Sequence, residues 1–238
     1  MRYQGGKSKI AKQLLAQILP RRKEGDIFVE PFAGAFNITA TVPGERIAAD
    51  YDIRLINLFT ALQAGWEPPD TVSEELYYDV KANPEKHHPA MQAFVGCGCS
   101  FGGKWWGGHS ANSKCGRNYA TEAARGLRKK VKTLDGVHIF HCRYDQLELP
   151  EPSRCIIYCD PPYGGTQGYD GEKFDSEVFW EWCEAKRLQG YRIWVSEYSC
   201  PIGWPCVWEK PWKTSLSGSW DIKDRVERLF HKEPPCSN

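Results

Sequence analysis

Apolar and polar positions along the chain follow two periods, one typical of amphipathic helices and one of buried strands. Residues 137–142, 155–159 and 191–195 are continuous apolar runs of strand length. Such runs are typical of strands in a sheet that is covered on both faces. The pattern predicts helices at residues 7–19, 53–64, 119–134 and 174–188, and strands at 27–30, 46–50, 137–142, 155–159, 191–195, 206–209 and 226–231.

The regular pattern is interrupted in the middle of the chain. From residue 66 to about residue 118 no clear period is present, and glycines and aromatic residues crowd positions 96–108. The sequence therefore predicts one α/β domain made by residues 1–65 and 137–238, with an inserted region at 66–136.

The composition is that of an ordinary globular protein. With 41% hydrophobic and 26% charged residues over 238 positions, the chain is long enough for one sizeable core. No apolar run approaches the roughly 18 residues of a membrane helix, and the first residues lack the apolar segment of a secretory signal. We therefore expect a cytoplasmic protein with no membrane contact.

Ten cysteines could indicate a disulfide framework, but a chain of this length with a sizeable core does not need one. Those in apolar, strand-like runs are predicted to be buried, namely Cys142, Cys155, Cys159 and Cys206. Paired C-x2-C spacings do not occur, and Cys97, Cys99, His109 and Cys115 miss the usual zinc patterns. No metal is expected.

Charge is distributed unevenly along the chain, although the net charge is only +1. Residues 101–132 hold eight lysines and arginines and one acidic residue, Glu122, so this segment carries about +7. A basic segment of this kind is typical of a nucleic-acid contact, and the alternative is a solvated basic surface.

The segment Asp160-Pro161-Pro162-Tyr163 directly follows the apolar run at 155–159. Ligands of an open parallel sheet gather at the carboxyl ends of the strands, where Asp160 is predicted to lie. The two prolines fix the backbone and remove two N–H donors, which leaves a carboxylate, carbonyls and an aromatic ring. A simple strand-ending turn is the alternative, because Asp and Pro are common in turns.

These groups suit the methylation of an exocyclic amine. The lone pair of such an amine is delocalised into the ring, and hydrogen bonds from its N–H groups to a carboxylate and a carbonyl would localise it. Tyr163 is placed to stack on an extruded base, since an enzyme that acts on a base must take it out of the helix.

In four motifs and their order, and in a last segment near the C-terminus, the sequence resembles the DNA adenine methylase (Dam-type) family of N6-adenine methyltransferases. Asp160 to Tyr163 is similar to the catalytic motif of the family. The stretch at 101–108 further resembles a phage-borne branch. The remaining similarities lie in residues 2–7 (an N-terminal cofactor motif), 29–35 (a glycine loop), 49–50 (an acid that ends the second strand), and 215–218 with 225–229 (the last segment).

The resemblance implies a Rossmann-like class I methyltransferase fold with a mixed seven-stranded sheet, and S-adenosylmethionine as cofactor. Backbone N–H groups of the loop fit the carboxylate of that cofactor, and Asp50 fits its ribose. Phe36 stands where the family usually has a second glycine, and we expect it to narrow the cofactor pocket or shift the loop. The implied cofactor contacts are Tyr3, Lys7, Glu30, Pro31, Phe32, Ala33, Gly34, Asp50 and Asp160, with Tyr144 or Asp145 beside the cofactor's adenine.

The resemblance also implies that the insertion reads duplex DNA. Basic side chains would neutralise phosphates, which makes affinity salt-dependent. Trp105 and Trp106 are candidate wedge or stacking groups, with burial in the core as the alternative. The predicted DNA contacts are Lys104, Trp105, Trp106, Arg117, Arg125, Arg128, Lys129 and Lys132.

Other functions fit less well. Residues 5–8 end like a phosphate-binding loop, but the first glycine and the preceding strand of that motif are missing. No G-x-S-x-G elbow indicates a hydrolase. The alternatives that stay open are a cytosine-N4 methyltransferase, a DNA-binding protein without turnover on the same fold, and a methyltransferase that acts on RNA or on a protein amide. For the enzyme we expect the cytoplasm of a bacterial or phage-infected cell, with or without a restriction partner.

Overall fold

The sheet and its helices are described by a computed structural model, which covers residues 1, 3, 5–110, 118–162, 174–212 and 225–235. In these residues the strands are β1 (Ile27–Glu30), β2 (Arg46–Asp50), β3 (Val137–His141), β4 (Cys155–Cys159), β5 (Arg192–Glu197), β6 (Cys206–Trp212) and β7 (Arg225–His231). The α-helices are α1 (Ala11–Ile18), α2 (Ile53–Gln63), α3 (Glu74–Ala82), α4 (Pro89–Ala93), α5 (Tyr119–Val131) and α6 (Ser176–Leu188).

Within these described ranges, seven strands form one sheet in the order β3-β2-β1-β4-β5-β7-β6. The first five are parallel, while β7 is antiparallel to both β5 and β6. This confirms the predicted mixed sheet. The chain builds outward from β1 on one side and from β4 on the other, so the strand order reverses between these two central strands, where a crevice forms at their carboxyl ends.

Alternation along the central strands divides the core between the two faces of the sheet. Phe28 of β1 and Ile156 of β4 pack with α1, whereas Val29 and Ile157, their immediate neighbours, pack with Phe179 of α6. Every residue of β4 is buried, as its continuous apolar run predicted.

The inserted region is more regular than the sequence indicated. It contains α3, α4 and a π-helical turn at Phe94–Gly98, where we expected no regular structure. Ser73 caps α3 by accepting a hydrogen bond from Leu76 N, and Tyr77 and Val80 bury one face. Because only these two residues of α3 are buried, the sequence shows no clear helical pattern of apolar residues there. Domain boundaries at 66 and 136 remain a prediction.

Two expectations about burial are wrong. β3 pairs only with β2 at the sheet edge, so it is not covered on both faces, and Phe140 is 46% exposed. Cys155 and Cys159 are buried as predicted, but Cys206 is exposed and Cys142 half-buried, because both lie near sheet edges.

Candidate active site

The glycine loop after β1 is tied to the end of β2 by Asp50. Its Oδ2 accepts a hydrogen bond from Gly34 N at 2.7 Å, and its Oδ1 accepts one from Asp52 N at 2.8 Å. Burial raises the pKa of Asp50 to about 6, and the two N–H donors offset this only in part. Asp50 therefore shapes the loop, and the ribose contact expected of it would use remaining lone pairs, since each carboxylate oxygen has two.

Phe36 turns its ring into the core, and its effect on the cofactor pocket stays a prediction. Its backbone adopts a left-handed φ of 57°, the region that glycine favours. The side chain is fully buried and its ring centroid lies 4.2 Å from that of Phe59 on α2. The left-handed turn is thus kept without a glycine, and packing of the ring into the core offsets the backbone strain.

Asp160 follows β4 and faces Lys7 from the N-terminal segment. Lys7 Nζ lies 3.0 Å from Asp160 Oδ1 and 3.2 Å from Glu227 Oε1 of β7. All three side chains are largely buried, with exposed fractions of 9%, 17% and 9%. Burial alone would lower the pKa of Lys7, but the two carboxylates outweigh it and the pKa is raised. We had expected Lys7 among the cofactor contacts, and did not predict a site role for Glu227, which lies between Val226 and Arg228 of β7.

Glu30 ends β1 and is buried beneath the glycine loop. Its carboxyl accepts hydrogen bonds from Thr39 N at 2.8 Å and from Thr39 Oγ1. Burial raises the pKa of Glu30 from 4.5 to about 8, because the hydrogen bonds and the nearby Lys130 offset desolvation only in part. Burial thus favours the protonated form of Glu30.

Replacing Glu30 with glutamine is expected to stabilise the protein at alkaline pH. The folded state holds a proton that the unfolded chain gives up between pH 4.5 and about 8, so wild-type stability falls as pH rises through this window. Glutamine does not titrate and can still accept from Thr39. Urea unfolding should show a gain on the order of 1–3 kcal/mol near pH 9 and little change near pH 5. A gain equal at both pH values would contradict the assignment.

Lys130, on α5, reaches the glycine loop from the inserted region. Its Nζ donates to Ala35 O and to Asn37 Oδ1, the latter at 2.7 Å. Desolvation lowers the pKa of Lys130 to about 8, with Glu30 opposing. Lys130 had no predicted site role, although it lies three residues after Leu127, which is buried on the inward face of the helix.

Stacked aromatic rings join the glycine loop to the segment after β3. Phe32 stacks on Tyr144, with ring centroids 5.3 Å apart and planes at 26°. Tyr144 is buried, which raises its pKa to about 12. Asp145 forms an ion pair with Arg143 at 3.1 Å. The structure thus brings Phe32 and the segment after β3 together, as a shared cofactor site requires.

The N-terminal segment covers the loop. A methyl group placed on Gly34 would lie 3.5 Å from the ring of Tyr3. Pro31 and Ala33 are buried within the loop, Pro161 is buried, and Pro162 is half-buried. Arg2, Gln4, Tyr163 and the segment at 215–218 lie outside the described residues.

The predicted DNA contacts on α5 share one surface. Arg125, Arg128, Lys129 and Lys132 line an open cavity of about 640 Å³ together with Asp70 and Thr121. Arg128 is held by Glu67 at 2.9 Å and by Asp70 at 2.6 Å, so its charge is already engaged. Arg117 falls outside the part of the chain that the structure describes.

The two tryptophans differ in their surroundings. Trp106 is half-buried and packs edge-to-face on Tyr77, with centroids 5.3 Å apart. Trp105 is 37% exposed, and the Arg54 guanidinium lies 4.5 Å from its ring centroid. Its ring fills the space over Gly96 and leaves no room there for a methyl group. Lys104, beside them, is exposed. Trp105 is therefore the more exposed of the two tryptophans, and a DNA contact by either of them stays a prediction.

Among the described residues, no group of three or more His, Cys, Asp or Glu side chains is placed to hold a metal ion. Over the same residues, no helix is both long and apolar enough to cross a bilayer.

The mixed sheet, with its site at the reversal point between β1 and β4, defines a Rossmann-like class I methyltransferase fold. A family model described as D12 class N6 adenine-specific DNA methyltransferase matches residues 3–95. The match covers less than half of the chain, including Lys7, the glycine loop and Asp50. The match agrees with the family predicted from the motifs, and over these residues the chain is similar to the D12 class of adenine-specific DNA methyltransferases.

Solved structures resemble the chain only distantly, and no curated protein sequence matches it. An rRNA methyltransferase from Streptomyces viridochromogenes is 13% identical, with 94% of this chain and 84% of that one covered and a TM-score of 0.42. A protein provisionally named a methylase, from Haemophilus influenzae, is 10% identical, with 94% and 89% covered and a TM-score of 0.39. At this level the likenesses carry no argument about substrate.

Proposed function

We propose that the protein transfers a methyl group from S-adenosylmethionine to the N6 amino group of adenine in duplex DNA, after flipping the base out of the helix. The observation that carries this proposal is the position of Asp160. It lies at the carboxyl end of β4, beside the strand whose end forms the glycine loop, and Lys7 holds it at 3.0 Å.

The residues around the loop fit S-adenosylmethionine. Gly34 brings backbone close to the ring of Tyr3, Asp50 supplies a buried carboxylate for ribose hydroxyls, and Phe32 with Tyr144 supplies an aromatic wall for the adenine. When bound, the cofactor supplies a methyl group on a positively charged sulfur. In the proposal Asp145 flanks the adenine, and the backbone at Glu30 to Gly34 contacts the carboxylate end.

The segment from Asp160 to Tyr163 would orient the target amine. The Asp160 carboxylate and a backbone carbonyl of the prolines accept its two N–H groups, which directs the nitrogen lone pair away from the ring. Tyr163 stacks on the base. Lys7 and Glu227 hold Asp160 in place, so that acceleration comes from positioning and electrostatics rather than from a covalent intermediate.

Identification of the methylated nucleoside tests this proposal. DNA incubated with the protein and labelled S-adenosylmethionine is digested to nucleosides and analysed by mass. N6-methyladenine is the expected product. N4-methylcytosine would support the cytosine alternative, and absence of label in DNA that the protein nonetheless binds would indicate a DNA-binding protein without turnover.

Basic residues of α5 are expected to contact DNA phosphates. Replacing Lys129 or Lys132 with alanine should weaken duplex binding for every sequence and lower the slope of log affinity against log salt by about 1 each. Arg128→Ala is the matched control, because Glu67 and Asp70 already engage its charge, and it should change the slope less. Equal salt slopes in all three variants and the wild type would place the DNA elsewhere.

A further inference from the structure

Three segments that are distant in sequence meet at Asn37. Its Oδ1 accepts a hydrogen bond from Lys130 Nζ of α5 at 2.7 Å. Its Nδ2 lies against the N-terminal segment, where a methyl group on Gly6 would be only 2.8 Å from it. The glycine loop is therefore clamped between the segment that carries Lys7 and the helix that carries the basic surface.

α5 presents two different faces. Gly126 and Lys130 lie one turn apart on the inward face, and a methyl group on Gly126 would lie 2.8 Å from the backbone nitrogen of Met1. Arg125 and Lys129, also one turn apart, line the open basic cavity instead. The six-residue stretch 125–130 thus touches the glycine loop on one side and the proposed DNA surface on the other.

The inward lysine makes specific contacts. Lys130 is half-buried, and burying an ammonium group is costly unless hydrogen bonds replace its lost hydration. Its acceptors, Ala35 O and Asn37 Oδ1, flank Phe36, whose φ is 57°. Lys130 thus holds both ends of the strained turn of the loop, and a shift of α5 would move this turn.

We propose that Lys130 is a positioning residue that links occupancy of the basic surface of α5 by duplex DNA to the shape of the cofactor loop. The inference rests on the proposed function, because it takes DNA to bind α5 and S-adenosylmethionine to bind the loop. Since coupling between two sites is reciprocal, DNA should tighten cofactor binding by the same factor as the cofactor tightens DNA binding.

Calorimetric titration with S-adenosylhomocysteine, which cannot react, tests the coupling. Each protein is titrated alone and with saturating mixed-sequence duplex at low salt. In the wild type, DNA should increase the affinity roughly fivefold or more. Lys130→Met should lose this increase while still binding DNA. Lys129→Met, the neighbouring control, should bind DNA more weakly but keep the increase once DNA is saturating, and Lys130→Arg should keep part of it.

Different titration results contradict the coupling and the proposed function. A wild type that binds neither ligand would overturn the proposed function itself. If the wild type binds both ligands, a full increase in Lys130→Met, or none in the wild type, would overturn the coupling. Should Lys130→Met fail to fold, Asn37→Ala removes one acceptor of Lys130 while Ala35 O remains, and a reduced increase is then expected.

Discussion

Replacement of Asp160 by asparagine is expected to slow methyl transfer by roughly 10²–10³-fold or more, with cofactor and DNA affinities changed little. Asparagine keeps the shape of the side chain and one acceptor oxygen but loses the negative charge that pulls on the amine. Lys7 retains Glu227 as a partner at 3.2 Å, so the fold around the site should survive. The loss therefore falls on the chemical step.

Single-turnover transfer of labelled methyl groups measures this step directly, since binding and product release do not limit it. Glu148→Gln is the matched control, because Glu148 is an exposed carboxylate outside the site and the variant should transfer methyl groups at the wild-type rate. Binding of S-adenosylhomocysteine and of duplex DNA is measured for both variants. A near-normal rate in Asp160→Asn would exclude a catalytic role for the carboxylate.

Central strands could be predicted from the sequence because their signal is local. The predicted bounds at 27–30, 46–50 and 155–159 are those of β1, β2 and β4. Each strand lies between two neighbours and buries nearly all its side chains, so its apolar run is continuous. β3 lies at the edge, and its apolar residues are interrupted by His138 and His141, a polar signal that the prediction of a covered strand overlooked.

Contacts between distant segments were harder to predict. Lys7 was expected near the cofactor, and only the fold brings it between Asp160 and Glu227. Lys130 and Lys129 are adjacent and equally charged in the sequence, yet one is turned to the glycine loop and the other to the basic cavity. Charge patterns alone locate a basic helix but do not assign its individual lysines.

The Lys7→Met variant is expected to lose about 3–5 kcal/mol of unfolding free energy near neutral pH, because Asp160 and Glu227 would be left buried without their shared ammonium. The raised pKa of Lys7 means that its contribution is fully present below the ordinary value of 10.5 and is lost only as pH rises through the folded-state value.

The variant should behave differently in acid. As pH falls, the two carboxyl groups that have lost the ammonium take up protons, and burying them in the neutral form costs less free energy. The stability difference from wild type should therefore be smaller at about pH 5 than at about pH 7. Urea unfolding at both pH values measures it. Lys7→Arg, which keeps the positive charge, should recover most of the stability. A loss that stays constant with pH would mean that the methionine disturbs packing alone, whereas a loss that shrinks in acid identifies the buried charges as its cause.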